Sequence, residues 1–87
     1  MKSTLNDKQR DTLNMLPYLN KRKASSISHY KIGFDYIIVR FADGQELKYS
    51  YTGKAGKYHV DNMKGHAANG FGLADYIIKN TKFLHDE

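Results

Sequence analysis

An α+β fold is predicted by three observations: a period-2 run of β-branched and aromatic residues from Ser26 to Tyr51, helical spacing after Lys54, and a capped helical segment ahead of Pro17. The expected architecture is a three-stranded antiparallel β-meander packed by two C-terminal helices and preceded by an N-terminal helix. The chain has 87 residues, enough for one modest core. It divides into an N-terminal helix and basic linker over residues 1–24 and a single α+β domain over 25–87.

The first helix starts from Asn6 as cap, with Gln9 three residues on and Asp7 at the positive end of the helix dipole. Leu13 and Leu16 share a face, and Pro17 disfavours helical geometry at the residue before it. Pro17 to Ala24 reads as a linker. Ser26, Ser28, Tyr30 and Ile32 then fall on one side of a first strand, which Gly33 interrupts. This strand, 26–32, is an edge open to pairing with a second chain, so the expected state is a monomer or weak homodimer.

The clearest signal is the hairpin Tyr36–Phe41, Asp43-Gly44, Glu46–Tyr51. A two-residue loop would set the apolar stripe of one strand against the polar stripe of the other. A three-residue loop, Ala42-Asp43-Gly44, instead pairs Val39 with Leu47 and Ile37 with Tyr49, and sets Arg40 opposite Glu46. Gly44 then takes the left-handed position that such a loop demands. Beyond the loop Thr52–Gly56, Val60, Met63 and Ala67 recur at helical spacing up to the break Asn69-Gly70. A last helix places Leu73, Tyr76, Ile77 and Leu84 on one face, with Asp75, Lys79 and Lys82 off it. Gly72 allows close backbone approach ahead of it.

Composition excludes several classes. There is no cysteine, hence neither a disulfide framework nor a thiolate zinc site. No apolar run approaches a membrane span of ~18 residues, and Met1-Lys2-Ser3-Thr4 is not a signal peptide, so a cytoplasmic protein with no membrane partner is expected. The glycines of Thr52–Gly56 lack the Gly-Lys-Ser/Thr element of a phosphate-binding loop. Of the four histidines, His29, His59, His66 and His85, the helical pair His59/His66 is two turns apart, too far for a zinc-chelating i, i+4 pair. Ser25, Ser26, Ser28 and Ser50 lie in no nucleophile elbow, and nothing in the spacing joins Asp35 to His29 or His59. The expectation is a non-enzyme with no catalytic residue, metal or cofactor.

Net charge is +5, and residues 1–23 alone carry six basic and two acidic side chains, densest at Lys21-Arg22-Lys23. Such clusters draw phosphate-bearing partners. In the hairpin register Tyr49 and Tyr51 lie on the apolar face with Leu47, while Tyr36, Ile38 and Arg40 form a stripe on the opposite face beside Lys48. Lys54, Lys57 and Lys64 add a basic rim from the loop and first C-terminal helix. The candidate binding residues are therefore Lys21, Arg22, Lys23, Tyr36, Arg40, Lys48, Lys54 and Lys57. The implied function is a small nucleic-acid-binding module, with RNA favoured, gripping phosphates through the basic segment and stacking unpaired bases on strand aromatics. The alternative is a protein-interaction module, such as a phage-type inhibitor of a host complex.

Ser26, Gly33-Phe34-Asp35, Val39-x-Phe41-x-x-Gly44, Tyr49-x-Tyr51, Gly70-x-Gly72 and Tyr76-Ile77 occur in an order and spacing similar to the KTSC domain. That family is a short bacterial module found alone, including in phage-like contexts, and as an extension of some lysyl-tRNA synthetases. The resemblance spans Ser26–Asn80. It departs at Thr52-Gly53-Lys54, where the family has a Val-Pro step, and at Asn69-Gly70, where it has Ser-x-Gly. The resemblance implies the α+β fold and a loose link to translation, with no catalytic residues to carry over.

Overall fold

The computed structural model describes residues 15–21 and 26–86. The N-terminal helix expected from Asn6 lies outside them, except for its last residue: Leu16 is extended, not helical. Strands β1 (Leu16–Pro17), β2 (Ile27–Ile32), β3 (Tyr36–Phe41) and β4 (Glu46–Ser50) are followed by helix α1 (Gly56–Asn69). Helix α2 (Leu73–Tyr76) then runs into a wider π-helical stretch, Ile77–Thr81. The sheet has the order β1-β2-β3-β4, every neighbour antiparallel.

The class is thus α+β, but the sheet has four strands rather than three. The extra strand straddles the end of the expected helix, Leu16, and the start of the stretch read as a linker, Pro17. Leu16 pairs with Tyr30 and Pro17 with His29, and the Tyr18 amide donates to the Ser28 carbonyl at 2.9 Å. Pro17 sits at the sheet edge, where its missing N–H costs nothing. Tyr18 turns inward and joins the core, and its hydroxyl accepts the Leu73 amide at 3.3 Å. The Lys21 amide donates to the Gly70 carbonyl at 2.7 Å. Met15–Lys21 is therefore built into the domain. It also removes β2 from the edge, so the edge on which a homodimer was expected is shielded around His29 and Tyr30.

The hairpin follows the predicted register: Ile37 faces Tyr49, Val39 faces Leu47 and Arg40 faces Glu46. Phe41 and Gln45 close the three-residue loop at 2.8 Å, and Gly44 has φ +94°. The Asp43 carboxylate accepts the Gln45 amide at 2.9 Å, fixing the turn locally.

In β2, strict alternation fails. Ile27 pairs with Phe41 while His29 pairs with Arg40, so Ser28 is a bulge. The extra residue lets both Ile27 and Tyr30 turn towards the helix side, which an unbroken strand forbids. The bulged Ser28 hydroxyl donates to the Arg40 carbonyl at 3.3 Å.

Val60, Met63 and Ala67 seat α1 on β3 and β4. Gly70 ends it in the left-handed region, capping the Ala67 and His66 carbonyls. A Cβ at Gly72 (φ +85°) would stand 2.9 Å from His66 Nδ1, which is the close approach expected there. Leu73 and Ile77 complete the core. Leu84, expected on the last helix, lies beyond it, in the segment that follows the turn closed by its amide on the Thr81 carbonyl. Among the described residues no helix is long and apolar enough to cross a membrane.

Candidate functional site

The end of the sheet carrying the β2–β3 turn is the most chemically distinctive surface. Gly33, Phe34 and Asp35 cannot reach the core from a turn that closes with the Gly33 amide on the Tyr36 carbonyl at 2.9 Å. The turn is pinned from two directions. The Tyr51 amide donates to the Asp35 carbonyl at 2.8 Å, and the Lys64 ammonium, reaching from α1, donates to the Phe34 carbonyl at 2.9 Å. The Phe34 side chain nonetheless stands 93% exposed. A rigid backbone thus presents a bare aromatic ring to solvent.

On the sheet face away from the helices, next to this turn, lie Tyr36 and Lys48. Tyr36 faces Ser50 in register, so Lys48 is its diagonal neighbour on the same face. The Lys48 ammonium sits 4.8 Å from the Tyr36 ring centroid, a cation–π distance. Gly33 makes this possible: a Cβ there would fall 2.1 Å from the ring.

On the other side lies Tyr51, which the alternation put on the apolar face. It is on that face, but at its rim. Its ring has Lys64 at 4.7 Å and Lys57 at 5.3 Å from the centroid. Its hydroxyl donates to Asp61 Oδ1 at 2.5 Å and accepts from Lys64 at 3.2 Å. Lys57 donates to Asp61 Oδ2 at 2.7 Å. The hydrogen bonds from Lys57 and then Tyr51 hold the Asp61 carboxyl below the usual carboxylate range, and the Asp61 partner in turn raises Lys57.

Of the sequence-derived candidates, the structure brings Tyr36, Lys48 and Lys57 to this end. Arg40 is elsewhere, 3.6 Å from Glu46 across the hairpin, in an ion pair longer than a hydrogen bond. Ile38, expected as part of an exposed stripe, is 8% exposed and stands in register between Lys31 and Lys48. The Tyr36-Ile38-Arg40 stripe is therefore not an open surface: its middle is covered and its far end is paired. Lys21 belongs to the α1–α2 corner, its ammonium 6.0 Å from the Phe71 ring. Lys54 is exposed in the loop before α1. Arg22 and Lys23 lie outside the described residues.

Three residues of the site were missed, Phe34, Tyr51 and Asp61. Phe34 carried a usable signal, since an aromatic in a tight turn between two strands has no core to enter. Tyr51 carried none, because its rim position depends on where α1 docks.

The histidines of α1 serve another role. His59 Nδ1 and the Asn62 amide both meet the Tyr76 hydroxyl, at 2.7 and 3.2 Å, and the His66 ring packs 5.2 Å from the Tyr76 ring. Two turns of one helix face thus grip a single tyrosine of α2. Among the described residues no group of three potential ligands is placed to hold a metal ion.

Fold and site together define a small α+β domain with an aromatic, lysine-lined end. Compared with protein-family models, with curated proteins and with solved structures, the chain matches none.

Proposed function

We propose that the chain is a non-enzymatic binding module for single-stranded nucleic acid, RNA in the first place, and that the Phe34 end is its contact surface. The observation that carries this reading is the pinned turn with its exposed ring, flanked by Tyr36 with Lys48 and by Tyr51 with Lys57 and Lys64. A protruding ring stacks on an unpaired base and finds no matching face on an intact duplex, and lysines beside it take the phosphates. The basic segment Lys21-Arg22-Lys23 adds long-range attraction rather than a seat for a base. With a net charge of +5, affinity is modest and falls steeply with salt.

Fluorescence anisotropy with labelled single-stranded RNA, hairpin RNA and duplex DNA, at low and physiological salt, tests this. The expected order is single strand above hairpin above duplex. Phe34→Ala weakens single-strand binding by roughly tenfold, since one stacked base contributes about 1–3 kcal/mol. Charge reversal at Lys21, Arg22 and Lys23 lowers affinity for all three probes alike. Absence of binding at low salt removes the reading.

A second reading, a protein-interaction module, draws support from the opposite side of the domain. There Phe41, Leu47, Ile78 and Phe83 line an apolar groove of about 330 Å³ with Lys82 and His85 at its border. A Phe83→Glu change that leaves RNA binding intact separates this groove from the Phe34 end.

A further inference from the structure

Resting on the nucleic-acid reading, we propose that Lys57, Lys64 and the Tyr51 hydroxyl form a phosphate subsite beside Phe34, and that Asp61 fills it in the free protein as an internal stand-in for a backbone phosphodiester. Three donors gather around one ring. Lys57 donates to Asp61 Oδ2 at 2.7 Å, Tyr51 donates to Asp61 Oδ1 at 2.5 Å, and Lys64 donates to the Tyr51 oxygen at 3.2 Å. Lys64 polarises the hydroxyl it feeds, so the Tyr51 proton is offered more strongly to an anion. A carboxylate and a phosphodiester each present two oxygens on one anionic centre; Asp61 takes the Lys57 and Tyr51 donors, and Lys64 acts on it through the Tyr51 oxygen.

Two features distinguish the arrangement from an ordinary helix-surface ion pair. The order is Lys before Asp at i, i+4, the less favourable orientation for stabilising a helix. Two ammonium groups also flank Tyr51 against a single carboxylate, leaving an excess positive charge. The Asp61 side chain is 41% exposed, so it is free to swing into solvent when a phosphate arrives. The Phe34 carbonyl receives the same Lys64 ammonium, which couples the subsite to the turn that carries the stacking ring. A strand that stacks one base on Phe34 thus has a neighbouring phosphate within reach of the Lys57–Tyr51–Lys64 set.

The test uses a labelled oligouridylate and four full-length chains: unmodified, Asp61→Asn, Asp75→Asn, and Asp61→Asn with Lys64→Gln. Asp75 lies exposed on α2, outside the site, and its change alters net charge by the same amount. Asp61→Asn is expected to bind about tenfold tighter at low salt, the scale of one charge-assisted contact. Its plot of log affinity against log salt should steepen by about 0.7, the increment for one added phosphate on a single strand. Asp75→Asn should show neither change, and Lys64→Gln should cancel the gain. Equal gains from Asp61→Asn and Asp75→Asn overturn the subsite and leave the Phe34 reading standing, because net charge alone then explains them. A weaker Asp61→Asn overturns it as well. No binding by any of the four chains overturns the subsite and the nucleic-acid reading together.

Discussion

At the seam beneath α1, Tyr49 is wholly buried, and its hydroxyl has the Thr81 hydroxyl beside it but no hydrogen bond of good geometry among the described residues. Thr81, equally buried, spends its hydroxyl on Met63 Sδ at 3.4 Å. Two residues further along the chain, at the end of the sheet, Tyr51 has its ring between two lysines and its hydroxyl in two strong contacts. The same residue type is a volume filler in one region and a hub of charge in the other. The seam holds the domain together by close packing and is indifferent to ions. The end of the sheet is built of exposed, charge-dependent contacts that add little stability and leave surface available for a ligand.

The contrast is broken most strongly from the seam. Met63→Ala empties a fully buried site and should cost about 2–5 kcal/mol in urea unfolding, without altering the Phe34 end in any folded fraction. Tyr18→Phe should cost about 1–3 kcal/mol, because it strips the Leu73 amide of its buried acceptor while keeping the ring. Gly33→Ala crosses between the regions. The added methyl displaces the Tyr36 ring, with an expected cost of about 1–2 kcal/mol and a loss of RNA affinity that Met63→Ala does not share. Equal affinity in Gly33→Ala and the unmodified chain would detach Tyr36 from the site.

The smallest effect is read from pH. Burial pushes the Tyr49 hydroxyl above its ordinary value of 10.0, and the neighbouring Thr81 hydroxyl offsets part of the shift. A raised folded value means the unfolded chain loses its proton first. The Tyr49 contribution is therefore complete below the unfolded value and drains away as pH rises through the folded one. Tyr49→Phe should be at least as stable as the parent at neutral pH, and its urea midpoint should pull ahead above about pH 10. A gap that stays constant with pH would show that the hydroxyl is not desolvated. At Asp61 the sign reverses: its lowered carboxyl contributes stability above the ordinary carboxylate range and loses it as pH falls through the folded value.

What the sequence disclosed was local. The hairpin register followed from three loop residues and one salt-bridge pair, and it carried with it the Tyr36–Lys48 diagonal, half of the candidate site. Helix α1 was legible because Val60, Met63 and Ala67 repeat at helical spacing, whereas the last helix, expected to reach Leu84, is one α turn followed by a π-helical stretch. What stayed hidden was set by distant partners. Tyr18 is a core residue only because Leu73, 55 positions on, donates to it. Ser28 bulges because Ile27 and Tyr30 must share one face, which no period-2 reading anticipates. Tyr51 is a rim residue only because α1 brings Lys57, Asp61 and Lys64 across it.

The outer side of β4 is occupied by the chain's own Asp86, whose amide donates to the Lys48 carbonyl at 2.7 Å and whose carboxylate accepts the Ser50 amide at 3.3 Å. At the opposite margin Leu16 and Pro17 lie along β2. Each flank of the sheet is thus dressed with a short, non-propagating piece of its own chain, and neither offers a long row of open amides to a neighbour. Release of the Asp86 clasp, a contact one residue wide, would uncover the Lys48 carbonyl and the Ser50 amide on β4, the kind of open edge on which a second strand can template.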